Sequence, residues 1–181
     1  MATESRPGGI ALIFKAAEFA ARKHRDQRRK DKSASPYINH PIALAEVLSR
    51  VGGITSPKVL AAALLHDTLE DTKTTRAELW QAFGPSITKI VEEVTDDKRL
   101  PKQRRKELQV EHAAHISTRA KLVKLADKIS NLSDIITSPP AGWSLQRKRE
   151  YFDWAKRVID QVRGTNSKLE RRFDALYRKR P

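Results

Sequence analysis

The chain has 181 residues, enough for one compact unit with a sizeable core. It carries 36 Lys and Arg against 22 Asp and Glu, a formal net charge of +14. It contains no Cys, which excludes disulfides, thiolate metal sites, iron–sulfur clusters and cysteine nucleophiles. Hydrophobic residues make up 39% and charged residues 32%, with only 7 Gly, a globular and helix-friendly balance. No apolar run approaches the roughly 20 residues of a membrane span. Met1 to Gly9 lacks the apolar core of a secretory signal. The expected location is cytoplasmic, with no membrane partner. The excess of positive charge is larger in residues 91–181 (+9) than in residues 1–90 (+5). Such an excess favours a polyanionic partner or a phosphorylated small molecule.

Apolar residues at Ile10, Ile13, Phe14, Ala17, Ala20 and Ala21 predict a helix over 10–24. Arg25 to Pro36 is polar and reads as a loop. His40-Pro41 opens a helix that Gly52-Gly53 closes, and Ser56-Pro57 opens the next. Thr75 with Glu78 forms a capping-box pattern for a helix ending at Gly84. Pro85 to Thr95 is a further helix, and Asp96 to Pro101 a charged turn. Lys102 to Ile116 and Thr118 to Thr137 are long periodic segments. Ser144 to Arg163 is helical up to Gly164, and Asn166 caps a last helix towards Tyr177. No segment alternates with period two, so no sheet is expected. The architecture is all-α, a single-domain helical bundle of about eight to ten helices spanning residues 1–181.

The most informative stretch is His66-Asp67-Thr68-Leu69-Glu70-Asp71, at the end of an apolar run. At about 100° per residue, His66, Glu70, Asp67 and Asp71 share one face of a continuous helix. Three carboxylates and an imidazole repel one another unless a cation sits among them. A divalent metal satisfies that requirement. An ordinary helix end facing Lys73 and Arg76 does so as well. His40, at a helix start, and Asp127, beside Ala126 on the apolar side of a long helix, extend the set. A carboxylate at Asp127 needs a partner, either a metal or a lysine at Lys124 or Lys128. Read jointly, His40, His66, Asp67 and Asp127 form an imidazole–carboxylate set from three helices, suited to a first-row divalent ion. His24, His112 and His115 are poorer candidates, the last two on spacing alone. The run Lys102, Arg104, Arg105, Lys106 is either a phosphate-attracting face or a solvated one.

The order Arg28-Arg29-Lys30-Asp31, Tyr37-Ile38-Asn39-His40-Pro41, His66 to Asp71, Glu92 to Asp97 and Lys124-Leu125-Ala126-Asp127-Lys128 with Asn131 resembles the HD-domain alarmone hydrolases. These are the hydrolase domains of RelA/SpoT-type enzymes and their stand-alone small relatives, and the stand-alone type is the more similar. The likeness extends through Gly142-Trp143-Ser144 and Tyr151 to Ala155, so it covers nearly the whole chain. It implies an all-α HD fold and a manganese ion held by His40, His66, Asp67 and Asp127. It implies Glu70 and Asp71 as the catalytic pair that positions and activates water. The substrate implied is (p)ppGpp, cleaved at the 3′ position to release pyrophosphate. Arg29, Lys30 and Asn131 match nucleotide-binding positions, and Lys102, Arg147 and Tyr151 match positions that touch phosphates. With four residues after Tyr177, no synthetase region is expected, so the chain should degrade the alarmone and not make it.

Two other readings stay open at this stage. One is a related nucleotide phosphohydrolase, such as one removing the 2′-phosphate of NADPH. The other is a basic nucleic-acid-binding module, against which stands the lack of an aromatic stacking set among the basic residues. Homo-oligomerisation is also open.

Overall fold

The computed structural model describes residues 8–181. The reading of Met1 to Gly9 as lacking a secretory signal rests mostly on residues outside that range. Nine α-helices are present among the described residues: α1 Gly9–Lys23, α2 Asn39–Glu46, α3 Pro57–Leu65, α4 Thr68–Asp71, α5 Arg76–Val94, α6 Lys102–Ala113, α7 Thr118–Thr137, α8 Leu145–Asp160 and α9 Ser167–Tyr177. The expected all-α bundle is thus present, and the extended pairing described is a single bridge between Arg28 and Pro36. No described helix is long and apolar enough to cross a membrane.

The caps explain the boundaries. Ser117, Ser144 and Asn166 accept backbone N–H groups at the starts of α7, α8 and α9. Thr75 accepts from Glu78 N at 3.2 Å, but the capping box is one-sided. The Glu78 carboxylate pairs with Lys23 instead, at 2.7 Å. Within α5 the helical path breaks at Gly84, whose φ of 75° suits glycine. Pro85 restarts the helix there, so the two predicted segments meet end to end. Helix α2 runs on into a π-helical turn, Val47–Val51. It stops at Gly52, where a Cβ would lie 2.7 Å from Leu48 O and press on Leu169.

Helix α7 is the axis of the bundle, packing against α2, α3, α5, α8 and α9. Leu125, Ile129 and Leu132 of α7 are buried with Phe152 of α8 and Phe173 of α9. Helix α1 packs on α3 through Ala16, Phe19 and Ala20, which are buried. This corrects the predicted apolar face: Ile10 and Phe14 are 73% and 71% exposed, and Ala21 is exposed too. Alanines set four apart let two helix backbones approach, so Ala16 and Ala20 lie with Phe19 on the packed face while Ile10 and Phe14 lie outside it.

The apolar run of α3 ends at Leu65, and a turn at His66-Asp67 separates it from the short α4. The predicted unbroken helix through Asp71 is therefore replaced by a kink. Thr68 Oγ1 donates to Leu65 O at 2.7 Å, a side-chain bond that competes with helix continuation. Asp71 N still donates to Asp67 O at 2.8 Å, so the carboxylates stay one turn apart.

Candidate functional site

Three helices bring the predicted ligand set together. His40 comes from the first turn of α2, His66 and Asp67 from the kink after α3, and Asp127 from the middle of α7. One ligand atom from each of His40, His66 and Asp67 lies within 4.8 Å of the others. Asp127 Oδ1 closes the ring, 3.3 Å from His40 Nε2 and 3.9 Å from His66 Nε2. Asp67 Oδ2 lies 2.9 Å from His66 Nε2 and 4.0 Å from His40 Nε2.

The outer bonds aim these groups. His66 Nδ1 donates to Ala63 O at 2.8 Å, which leaves Nε2 to face the cluster. That Nε2 is buried and, although Asp67 Oδ2 stands 2.9 Å away, makes no well-directed hydrogen bond. His40 Nδ1 faces Ser130 Oγ at 3.3 Å, so its Nε2 also points inward. Two imidazole nitrogens and two carboxylates converging on one point, one nitrogen of them orphaned, fit a divalent cation of the first row. Asn131 Nδ2 donates to Asp127 Oδ1 at 2.7 Å. Lys128 pairs with Asp127 Oδ2 at 2.9 Å, so the lysine partner and the cluster coexist. Lys124 turns away and donates to Val94 O at 3.2 Å.

Electrostatics agree with a strongly coupled cluster. Burial alone depresses the His66 imidazole, but Asp67 beside it outweighs burial and holds it up at about 9. Burial opposes ionisation of Asp67 and Asp127. His66 nevertheless holds Asp67 well below the usual carboxylate range, and Lys128 with His40 does the same for Asp127. Glu70 behaves oppositely: burial, then the charge of Asp96, pushes its carboxyl up to about 7. Asp96 N–H donates to Glu70 Oε2 at 3.1 Å.

The acidic pair does not face Lys73 and Arg76, as the alternative reading expected. Asp71 pairs with Lys98, Glu70 lies 3.6 Å from Arg105 Nη1, and Arg76 pairs with Glu92. Tyr37, Lys98 and Arg105 all touch the acidic groups, and the sequence reading had given none of them a role there. Tyr37 OH donates to Asp67 Oδ2 and lies 3.3 Å from Asp71 Oδ2. Its place three residues before His40, inside the motif already noted, was the available signal.

Three connected hollows surround the cluster. The innermost, about 160 Å³, holds His40, His66, Asp67, Asp127 and Glu70. One of about 540 Å³ is lined by Arg29, Lys30, Tyr37, Asn131, Ile135, Trp143 and Tyr151. One of about 680 Å³ is basic, with Lys30, Lys98, Lys102, Arg105, Lys106 and Arg147 on its wall. All the predicted site residues therefore line one continuous cleft. Arg29 is paired with Asp134 there, and Arg147 lies 4.4 Å over the Trp143 ring, which leans on Tyr151. Burial and the nearby Arg147 and Lys30 depress the Lys102 ammonium, which marks a crowded positive rim. His24 is buried and stacks on Tyr37 with ring centroids 4.8 Å apart, while His112 and His115 are exposed.

Comparison with known proteins agrees with this geometry. The family model described as HD domain matches residues 16–153. A Xenopus tropicalis protein named guanosine-3′,5′-bis(diphosphate) 3′-pyrophosphohydrolase MESH1 is 59% identical, over 92% of this chain and 93% of that one. The Homo sapiens protein of the same name is 55% identical, over 94% and 95%. A solved structure, described as a metazoan ortholog of SpoT that hydrolyzes ppGpp and plays a role in starvation responses, superposes with a TM-score of 0.92. It is 48% identical and covers 97% of this chain and 98% of its own. A Listeria monocytogenes EGD-e structure shares the fold at a TM-score of 0.61 and 25% identity, over 77% of this chain and 99% of that one. Its fold, its cluster and these identities lead to one assignment: the chain belongs to the HD-domain family, alongside the proteins named MESH1 and the metazoan ortholog of SpoT.

Proposed function

We propose that this chain hydrolyses (p)ppGpp at the 3′ position, releasing pyrophosphate and GDP or GTP. The observation that carries the reading is the His40–His66–Asp67–Asp127 cluster, in an inner hollow that shares His40 with the aromatic-lined hollow and Glu70 with the basic one. A nucleoside suits the aromatic-lined hollow and a diphosphate the basic one. The activity named for the relatives supports the same substrate. The protein is proposed to act in the cytoplasm as a single unit over residues 1–181.

Manganese is the proposed ion, with His40, His66, Asp67 and Asp127 as its ligands. When bound, such an ion draws charge from a phosphate oxygen and acidifies water. The chain's own residues supply the rest. Glu70 accepts the proton of the attacking water, with Oε2 fixed by Asp96 N–H and Oε1 turned toward the basic hollow. Asp71, beside Tyr37 and paired with Lys98, orients that water. The water oxygen bonds to the phosphorus carried by the ribose 3′ oxygen. The bond between that phosphorus and the 3′ oxygen breaks, and the oxygen takes up the proton that Glu70 accepted and leaves as a hydroxyl. Lys102 and Arg147 hold the phosphates, and Arg29, Lys30, Asn131 and Tyr151 seat the nucleoside.

The deciding experiment incubates the manganese-loaded protein with ppGpp and, separately, NADPH, and measures pyrophosphate and phosphate release. Pyrophosphate from ppGpp is the expected result. Phosphate from NADPH at far higher kcat/KM, with ppGpp inert, would move the reading to a 2′-phosphatase.

A further inference from the structure

Arg104 and Arg105 are neighbours in one basic run, and the fold sends them opposite ways. Arg104 lies along its own helix, 2.8 Å from Glu111 Oε1, with 47% of its side chain exposed. Arg105 turns inward and is 23% exposed, on the wall of the basic hollow. Its Nη1 stands 3.6 Å from Glu70 Oε1, close enough to attract the carboxylate but too far to donate a hydrogen bond. Its Nε is buried and has no acceptor within the fold. A guanidinium offers five N–H donors in a fixed fork, and a buried donor requires an acceptor. Arg105 therefore lines the hollow with donors uncommitted, beside Oε1 of Glu70, while the Asp96 N–H holds Oε2.

We propose that Arg105 is a catalytic residue of this site, its guanidinium gripping the oxygens of the phosphate under attack. This inference rests on the hydrolase reading above. A planar fork matches two phosphate oxygens at once, a geometry that a lysine lacks. Lys102 and Arg147 also line the hollow, but no contact ties either of them to Glu70. Arg105 alone among the described cations joins Glu70 by an ion pair, so it meets the phosphate where the proton acceptor stands. Charge that grows on the phosphate oxygens as the bond to the 3′ oxygen breaks is stabilised by a fixed cationic donor there. Its second effect is to keep Oε1 of Glu70 turned toward the attacked phosphorus.

Manganese-loaded wild type, Arg105→Ala, Arg105→Lys and Arg104→Ala are compared in ppGpp turnover. Inorganic pyrophosphate serves as the ligand in calorimetry. Arg105→Ala is expected to lose on the order of 10²-fold in kcat, the usual effect of one missing transition-state donor. KM rises by less than about tenfold and metal content is unchanged. Guanidinium chloride restores part of the lost turnover, which no structural role would produce. Arg105→Lys recovers less than the guanidinium geometry gives, and Arg104→Ala matches wild type. Pyrophosphate binds Arg105→Ala at least about tenfold more weakly, as expected for a lost charged hydrogen bond. Wild-type kcat and pyrophosphate affinity in Arg105→Ala would overturn the proposal, as would an equal loss in Arg104→Ala. If circular dichroism shows that Arg105→Ala does not fold, Arg105→Lys decides alone, and a folded lysine variant with wild-type kcat overturns it. If wild type leaves ppGpp intact, the hydrolase reading falls. Pyrophosphate affinity then decides whether Arg105 is a phosphate ligand.

Discussion

Tyr37 donates its hydroxyl proton to Asp67 Oδ2, and the same hydroxyl oxygen lies 3.3 Å from Asp71 Oδ2. One phenol thus stands between the proposed ligand and the carboxylate proposed to orient water. Its ring is gripped from two directions, by the His24 ring at 4.8 Å and by the Arg29 guanidinium at 5.7 Å. Burial, reinforced by Asp67, pushes the phenol far above its ordinary pKa, so it remains a donor at any working pH. A single proton serves one carboxylate at a time. Tyr37 therefore fixes Asp67, and Lys98 takes the charge of Asp71.

Tyr37→Phe removes the hydroxyl and leaves the ring stack in place. The expected result is a folded protein whose manganese affinity falls about 10–100-fold, the usual effect of losing a bond that orients a metal ligand. Titration calorimetry of the metal-free protein measures it directly. An affinity equal to wild type would show that Asp67 holds its position without the phenol.

Removing a proposed ligand itself is expected to have a larger effect. His66→Ala and Asp67→Ala are each expected to lose both bound metal and turnover, because the carboxylates that remain repel one another without a cation. Elemental analysis of the purified variants is the check. A full equivalent of metal in both would refute the ligand set.

The helices were legible because spacing, caps and breakers are local. Asn166, Ser144 and Gly84 act at the points where their chemistry is written. The proposed ligand set was legible because His40, His66, Asp67 and Asp127 stand in recognisable motifs. Other features depend on what lies across the bundle. Ile10 and Phe14 look like core residues until the close approach of α1 and α3 assigns that face to Ala16 and Ala20. Helical periodicity runs straight through His66-Asp67, and the Thr68 hydroxyl bond that marks the kink is invisible to it. Arg104 and Arg105 are indistinguishable in a charge count. About 100° of helix rotation separates a solvent ion pair from the wall of the cleft.

Lys102 sits among cations on the rim of the basic hollow. Lys102→Ala is expected to raise KM more than it lowers kcat, since a group that holds phosphates equally before and during reaction contributes uniform binding. Wild-type kcat/KM should fall as salt rises, because steering by exposed charge is screened. Steady-state kinetics at two ionic strengths test both, and an unchanged KM in the variant would return Lys102 to an ordinary surface role.

Glu70 also leaves a signature in stability. Its carboxyl titrates at about 7 in the folded protein and near 4.5 in the unfolded chain. The folded state binds the proton more tightly, so the neutral form favours folding. That contribution is fully present below about pH 4.5 and is lost as pH rises through about 7. Metal-free wild type should therefore lose Tm relative to Glu70→Gln over that interval. Thermal melts of the two proteins that stay parallel across it would show that the Glu70 carboxyl is not so displaced.

Glu70→Gln also separates the two acidic residues in catalysis. Glutamine keeps the size of the side chain and can still accept the Asp96 N–H, but it cannot take a proton at neutral pH. The metal should stay bound, because Glu70 lies outside the four proposed ligands. If Glu70 is the base, kcat should fall on the order of 10²–10⁴-fold, the usual contribution of a positioned proton acceptor, while KM moves little. Asp71→Asn is the necessary partner measurement. Asp71 Oδ1 is held by the Lys98 ammonium, whereas burial pushes the Glu70 carboxyl up to about 7 and its Oε1 has only the Arg105 ion pair at 3.6 Å. That difference assigns the proton to Glu70 and the orientation of water to Asp71. Metal loss in Glu70→Gln would make Glu70 a ligand. Retained metal and near-normal kcat in Glu70→Gln, with metal kept but kcat lost in Asp71→Asn, would exchange the two roles.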